Sequence, residues 1–145
     1  MNIKKFFTDQ EKKQIIKAIQ DAEKETSGEI RLHLETTCKG EALEQAVRVF
    51  QKLKMHDTQL RNGTLIYLAV KDRKFAIFGD QGINEVVPEN FWQDVKEQMK
   101  ERFAENKFAE GVILGIEQIG QKLKNFFPHQ DDDINELPDD ISTGQ

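Results

Sequence analysis

Apolar positions change their spacing several times along the chain, and each change predicts an element. Thr8, Asp9, Gln10 and Glu11 form a capping-box pattern, in which hydroxyl and carboxylate satisfy each other's backbone amides. Ile15, Ile16, Ile19 and Ala22 then fall on one stripe until Gly28, which predicts a helix over about residues 9–25. From residue 29 to 36 the period drops to two, with Ile30, Leu32 and Leu34 on one side and Arg31, His33 and Glu35 on the other, so a strand is expected. Ala42, Leu43, Ala46, Val47, Phe50 and Leu53 return to helical spacing and predict a second helix over about 41–54. The unbroken run from Leu65 to Val70 suits a strand buried on both faces, and Phe75 to Phe78 a second one after a four-residue reversal. Pro88 and Glu89 suit a helix start ahead of Phe91, Val95, Met99 and Phe103. Val112, Ile113, Ile116, Ile119 and Leu123 predict a last helix over about 108–125. Gly111 and Gly115 within it cost about 1 kcal/mol each against Ala, which calls for close backbone approach to a neighbour.

Strand, helix and apolar strand make a βαβ unit, so the first two strands are expected parallel, and the hairpin makes the third antiparallel. The result is an α/β fold with a small mixed sheet of three to four strands and about four helices. Residues 1–128 read as a single domain, and 129–145 as an acidic tail with little structure of its own, in which Ile134, Leu137 and Ile141 could pin it locally.

Charge sharpens this division. Of 26 acidic residues, six (Asp131, Asp132, Asp133, Glu136, Asp139 and Asp140) lie beyond Pro128, leaving 20 against 21 basic ones in the body. A mixed-sign, nearly neutral body argues against nucleic-acid binding, which needs a basic stripe. The acidic tail offers a surface for a basic protein partner. Cys38 is the only cysteine, without a second Cys or nearby His for a zinc site, and fits a reducing compartment. The first residues turn polar after Phe7, unlike a signal peptide, and no stretch approaches the roughly 18 apolar residues of a membrane span. A soluble, cytoplasmic monomer is the expectation.

The predicted topology brings three chain segments to one edge of the sheet: Ser27 to Glu29, Arg61 to Gly63, and Gly79 to Gly82. Glu29 and Asp80, with Asn62 and with Glu85 from the following loop, are candidate hard-oxygen ligands for Ca²⁺ or Mg²⁺, and Arg61 is a candidate anion clamp. The competing reading of Asp80, Gln81 and Gly82 is a turn, with Asp80 bonded to nearby backbone. Asp72 in the opposite hairpin turn reads as structural. Arg31, His33 and Glu35 could supply clamp, base and acid, but no nucleophile is adjacent in sequence and a solvated strand face is the expectation. The run Asp131 to Glu136 is no EF-hand, since Glu136 stands where Gly is needed and Ser142 where the twelfth-position Glu belongs. Phosphate-loop, nucleophile-elbow and zinc motifs are missing.

Thr26-Ser27-Gly28-Glu29-Ile30, Arg61-Asn62-Gly63 leading into an apolar strand, Asp72-Arg73, and Gly79-Asp80-Gln81-Gly82-Ile83 together resemble the TPM domain, also called the TPM phosphatase-like domain. The resemblance spans about residues 6–127. It implies an α/β/α sandwich around a small sheet, and an acidic pocket associated with calcium. Family members include thylakoid-lumen proteins concerned with photosystem repair, some credited with acid phosphatase activity. Many bacterial relatives carry a signal peptide, a membrane anchor and a glycine-rich tail, whereas this chain ends in an acidic one. Where family members often have Gly-Tyr-Gly after the third strand, Asp80, Gln81 and Gly82 stand here, which alters the pocket and counts against inherited phosphatase activity. The resemblance therefore favours a divalent-cation-binding module that is non-catalytic or weakly catalytic; the alternatives are a metal-assisted phosphomonoesterase and an interaction module working through its tail.

Overall fold

The capping box forms as its residues dictate. In a computed structural model that describes residues 1–130 and 140–144, Thr8 Oγ1 accepts from Glu11 N at 3.1 Å and Glu11 Oε1 from Thr8 N at 2.9 Å. Helix α1 (Asp9–Glu23) follows and buries Ile15, Ala18, Ile19 and Ala22. The chain continues through β1 (Glu29–Glu35), α2 (Ala42–Lys52), β2 (Gly63–Ala69), β3 (Lys74–Gly79), the single-turn α3 (Gln81–Asn84), α4 (Gln93–Ala104), α5 (Phe108–Lys124) and β4 (Ile141–Thr143).

The sheet order is β3-β2-β1-β4. β1 and β2 are parallel, with Glu29 opposite Gly63, and β2 and β3 antiparallel, with Thr64 opposite Gly79, as the βαβ-plus-hairpin pattern requires. All seven residues of β2 are buried because helices cover both faces of this central strand. Ile30, Leu32, Leu34, Ile66 and Leu68 join α1, α4 and α5 in one core; Leu65, Tyr67 and Ala69 meet Phe50, Met55 and Ala46 of the α2 layer in a smaller one. The architecture is thus an α/β sandwich with unequal layers. Gly111 and Gly115 explain their cost: a Cβ at either would press on Phe103 or on Met99 Sδ of α4 at 2.6 Å. The reversal between β2 and β3 is held by Asp72, whose Oδ2 accepts from Cys38 N at 2.8 Å, so this aspartate is structural.

Two expectations need correction. Pro88 opens a turn in which Phe91 N bonds Pro88 O at 3.1 Å, and α4 begins only after Trp92. The segment after residue 128, expected as a tail, supplies a strand: Ile141, Ser142 and Thr143 pair in parallel with Leu32, His33 and Leu34. The β-branched Ile141 and Thr143 suit a strand, and the three residues complete an otherwise open edge of β1. The acidic run 131–139, with the partner surface read from it, lies outside the described residues. Among the described residues no helix is long and apolar enough to cross a membrane.

Candidate functional site

The register delivers the anticipated gathering at one sheet edge. Glu29 lies opposite Gly63 on β2, and Asp80 N donates to Gly63 O at 2.9 Å, so the two carboxylate residues flank one glycine across three strands. Glu29 is 4% exposed, Asn62 2% and Asp80 3%. Gly63 is closely packed: a Cβ there would crowd Met55 O at 3.2 Å and lie against the Phe50 ring.

Asp80 is already engaged. Its Oδ2 accepts from Arg61 Nε at 2.7 Å and its Oδ1 from Arg61 Nη2 at 2.9 Å, a two-pronged charge-assisted pair. Oδ1 also accepts from Gln81 N at 2.7 Å, capping α3. The turn role weighed for Asp80 is therefore present, together with an ion pair that sequence spacing did not reveal. The hydrogen bond to Asp80 raises the Arg61 pKa above its usual value, with further support from the charges of Asp80 and Glu85. Arg61 reaches Asp80 from a left-handed backbone (φ 51°), and its side chain stays 42% exposed.

The other candidates are arranged around this pair. Asn62 Nδ2 donates to Ser27 Oγ at 3.3 Å. Glu85 is exposed at the end of α3 and accepts from Gln81 Nε2 at 3.2 Å. Gly82 permits the tight contact of α3 with the preceding loop: its N donates to Arg61 O at 2.8 Å, and a Cβ would overlap Leu60 O. Glu29, Asn62, Asp80 and Arg61 thus share one edge, with Glu85 at its rim. Among the described residues no three acidic, histidine or cysteine side chains converge as a metal cluster, so an ion here would draw on two carboxylates at most and on neutral oxygens beyond them. Thr58 and Thr64, which sequence reasoning did not single out, have buried hydroxyls without a hydrogen-bond partner. Thr58 sits in the loop that delivers Arg61, and Thr64 follows Gly63. The available signal for Thr64 was its place directly ahead of the apolar run that begins at Leu65.

At the opposite end of β1, the row expected as a solvated face is largely enclosed. His33 is 5% exposed because β4 lies beside it.

Comparison with known proteins bears on this arrangement. A family model described as the TPM domain matches residues 2–122. The NMR structure of the BA42 protein from the psychrophilic bacterium Bizionia argentinensis is 48% identical, with a TM-score of 0.92 over 99% of each chain. The N-terminal domain of the cg2496 protein from Corynebacterium glutamicum shares the fold at 12% identity, with a TM-score of 0.65 over 94% of this chain and 80% of that one. A search of curated proteins returned no match.

Proposed function

This chain belongs to the TPM domain family, and from that premise we propose that it is a cytoplasmic module binding a divalent cation, Ca²⁺ or Mg²⁺, at the sheet edge of Glu29, Asn62 and Asp80, with Glu85 at the rim. The observation that carries this reading is the Arg61–Asp80 pair. A carboxylate 3% exposed is balanced by a guanidinium whose side chain is 42% exposed. The protein's own cation already balances Asp80, and its exposed side chain could withdraw toward solvent if a divalent ion took its place. Oxygen donors fit hard cations. With only two carboxylates available, affinity should fall in the weak range of about 0.1–1 mM.

Metal-assisted hydrolysis of a phosphomonoester is the second reading, favoured by one detail. An ion on Asp80 would release Arg61, whose planar fork suits a phosphate. Hydrolysis of an aryl phosphate that persists in Asp80→Asn would remove Asp80 from such a mechanism. Recruitment of a basic partner through residues 131–139 is a further reading of the chain's charge.

Backbone amide NMR during Ca²⁺ or Mg²⁺ addition tests the main reading. Shifts at Asn62, Asp80, Gln81 and Gly82 are expected. Unmoved signals there would refute the site, and shifts confined to residues 131–140 would transfer binding to the acidic run.

A further inference from the structure

β4 carries a serine to the buried histidine of β1. Ser142 is the partner of His33 in the parallel register, and its Oγ lies 2.8 Å from His33 Nδ1. His33 Nε2 lies 2.7 Å from Glu35 Oε2. An ionised carboxylate only accepts, so Nε2 carries the proton and donates to Glu35, which leaves Nδ1 at 2.8 Å as the nearer acceptor for the Ser142 hydroxyl, ahead of Leu32 O at 3.4 Å. The result is a serine, a base and an orienting acid in one hydrogen-bonded line, the order in which hydroxyl nucleophiles are activated. The ring is turned relative to the usual serine-hydrolase arrangement, with the acid on Nε2 instead of Nδ1; either nitrogen, when it carries no proton, can accept one.

The surroundings match that use. Burial holds the pKa of His33 below its ordinary value despite Glu35, with Arg31 and Lys52 adding to the lowering, so the ring is a neutral acceptor near pH 7. Tyr67 stacks on its other side. Helix α2 packs on β2 and β3, which leaves Glu35 and Ser142 partly exposed. Arg31 precedes His33 by two positions on the same strand face, and its Nε is buried without a hydrogen-bond partner. The Arg31 guanidinium feels the charge of Asp140, and its unbonded Nε is a donor on the same strand face suited to a further negative charge.

We propose that Ser142, His33 and Glu35 form a second site, separate from the cation edge, that hydrolyses carboxylic esters bearing an anionic group, with Arg31 receiving that charge. Ser142 Oγ bonds to the carbonyl carbon while its proton passes to His33 Nδ1. The bond from that carbon to the ester oxygen breaks, and His33 returns the proton to the departing alkoxide. Water then attacks the acyl-serine by the same route, giving the free acid and restoring the hydroxyl.

Labelling of the full chain with an alkyl fluorophosphonate, read by peptide mass spectrometry, tests this without knowledge of the substrate. Modification at Ser142 is expected, with a rate that rises through a single step below about pH 6.5. The rate should fall on the order of 100-fold or more in His33→Ala. His33→Asn keeps a polar side chain without a base and should show the same loss if His33→Ala unfolds. Protection of the Gly144 amide, which donates to Leu34 O at 2.8 Å, reports whether β4 remains docked in each variant. A faster hydrolysis of p-nitrophenyl hemisuccinate than of p-nitrophenyl acetate, lost in Arg31→Met, is expected from the charge requirement. An unlabelled Ser142 under a protected Gly144 amide would overturn the proposal, as would equal labelling in the docked His33→Asn variant; either leaves these three residues as a fastener for β4.

Discussion

The two ends of β1 hold carboxylates in contrasting company. At the Glu29 end, Asp80 is paired with Arg61, whose charge is fixed at every accessible pH. At the far end, Glu35 faces His33, whose burial shifts its change of charge below the ordinary imidazole value. The first arrangement answers to a competing ion, the second to a proton or to a group that takes one. One strand therefore supports two chemistries because its partners differ: a loop arginine at one end, and a histidine enclosed by a short added strand at the other.

Two glycine substitutions separate the ends most strongly. A Cβ at Gly82 would overlap Leu60 O and come within 2.7 Å of Arg61 O, both backbone atoms of the loop that carries the arginine. Gly82→Ala should therefore destabilise by about 3 kcal/mol, read by chemical denaturation. At the far end, a Cβ at Gly144 would overlap the carboxylate of Glu35, the end of a flexible side chain that must move and give up its bond to His33. Gly144→Ala should cost less than about 1 kcal/mol globally while abolishing amide protection in β4. Equal costs would mean that the two ends are equally rigid.

A smaller effect is expected from pH. The folded pKa of His33 lies below the unfolded value of about 6.5, chiefly through burial. The unfolded chain then binds more protons, so this contribution is complete above about pH 6.5 and is lost as pH falls through the folded value. The groups facing His33 are Glu35 and Arg31 on β1, Lys52 on α2, Tyr67 on β2 and Ser142 on β4. Denaturation midpoints of the native chain and His33→Asn should converge on acidification. Parallel midpoints from pH 7 to 5 would remove His33 as the sensitive group.

Most of the fold was legible because period and chain order determine it. The switch from helical to alternating spacing at Glu29, the apolar β2 run and the short reversal after Val70 fix a parallel pair and a hairpin, and these fix the common edge of Glu29, Asn62 and Asp80. What stayed hidden depends on side chains distant in sequence. Nothing local to Arg61 announces that its left-handed backbone aims the guanidinium at Asp80. The three residues of β4 are too few to show a period, and their acidic neighbours masked the Ile141-Ser142-Thr143 pattern, so the serine beside His33 went unseen.

Arg61 offers the most direct measurement of the cation reading, because displacement from Asp80 is its distinctive consequence. The Nε–H resonance of Arg61 can be followed by NMR as Ca²⁺ or Mg²⁺ is added to millimolar concentration. The expected result is departure from its paired position and faster exchange with water, in step with shifts at Asp80 to Gly82. An Arg61 signal that stays unchanged through saturation would contradict binding at Asp80.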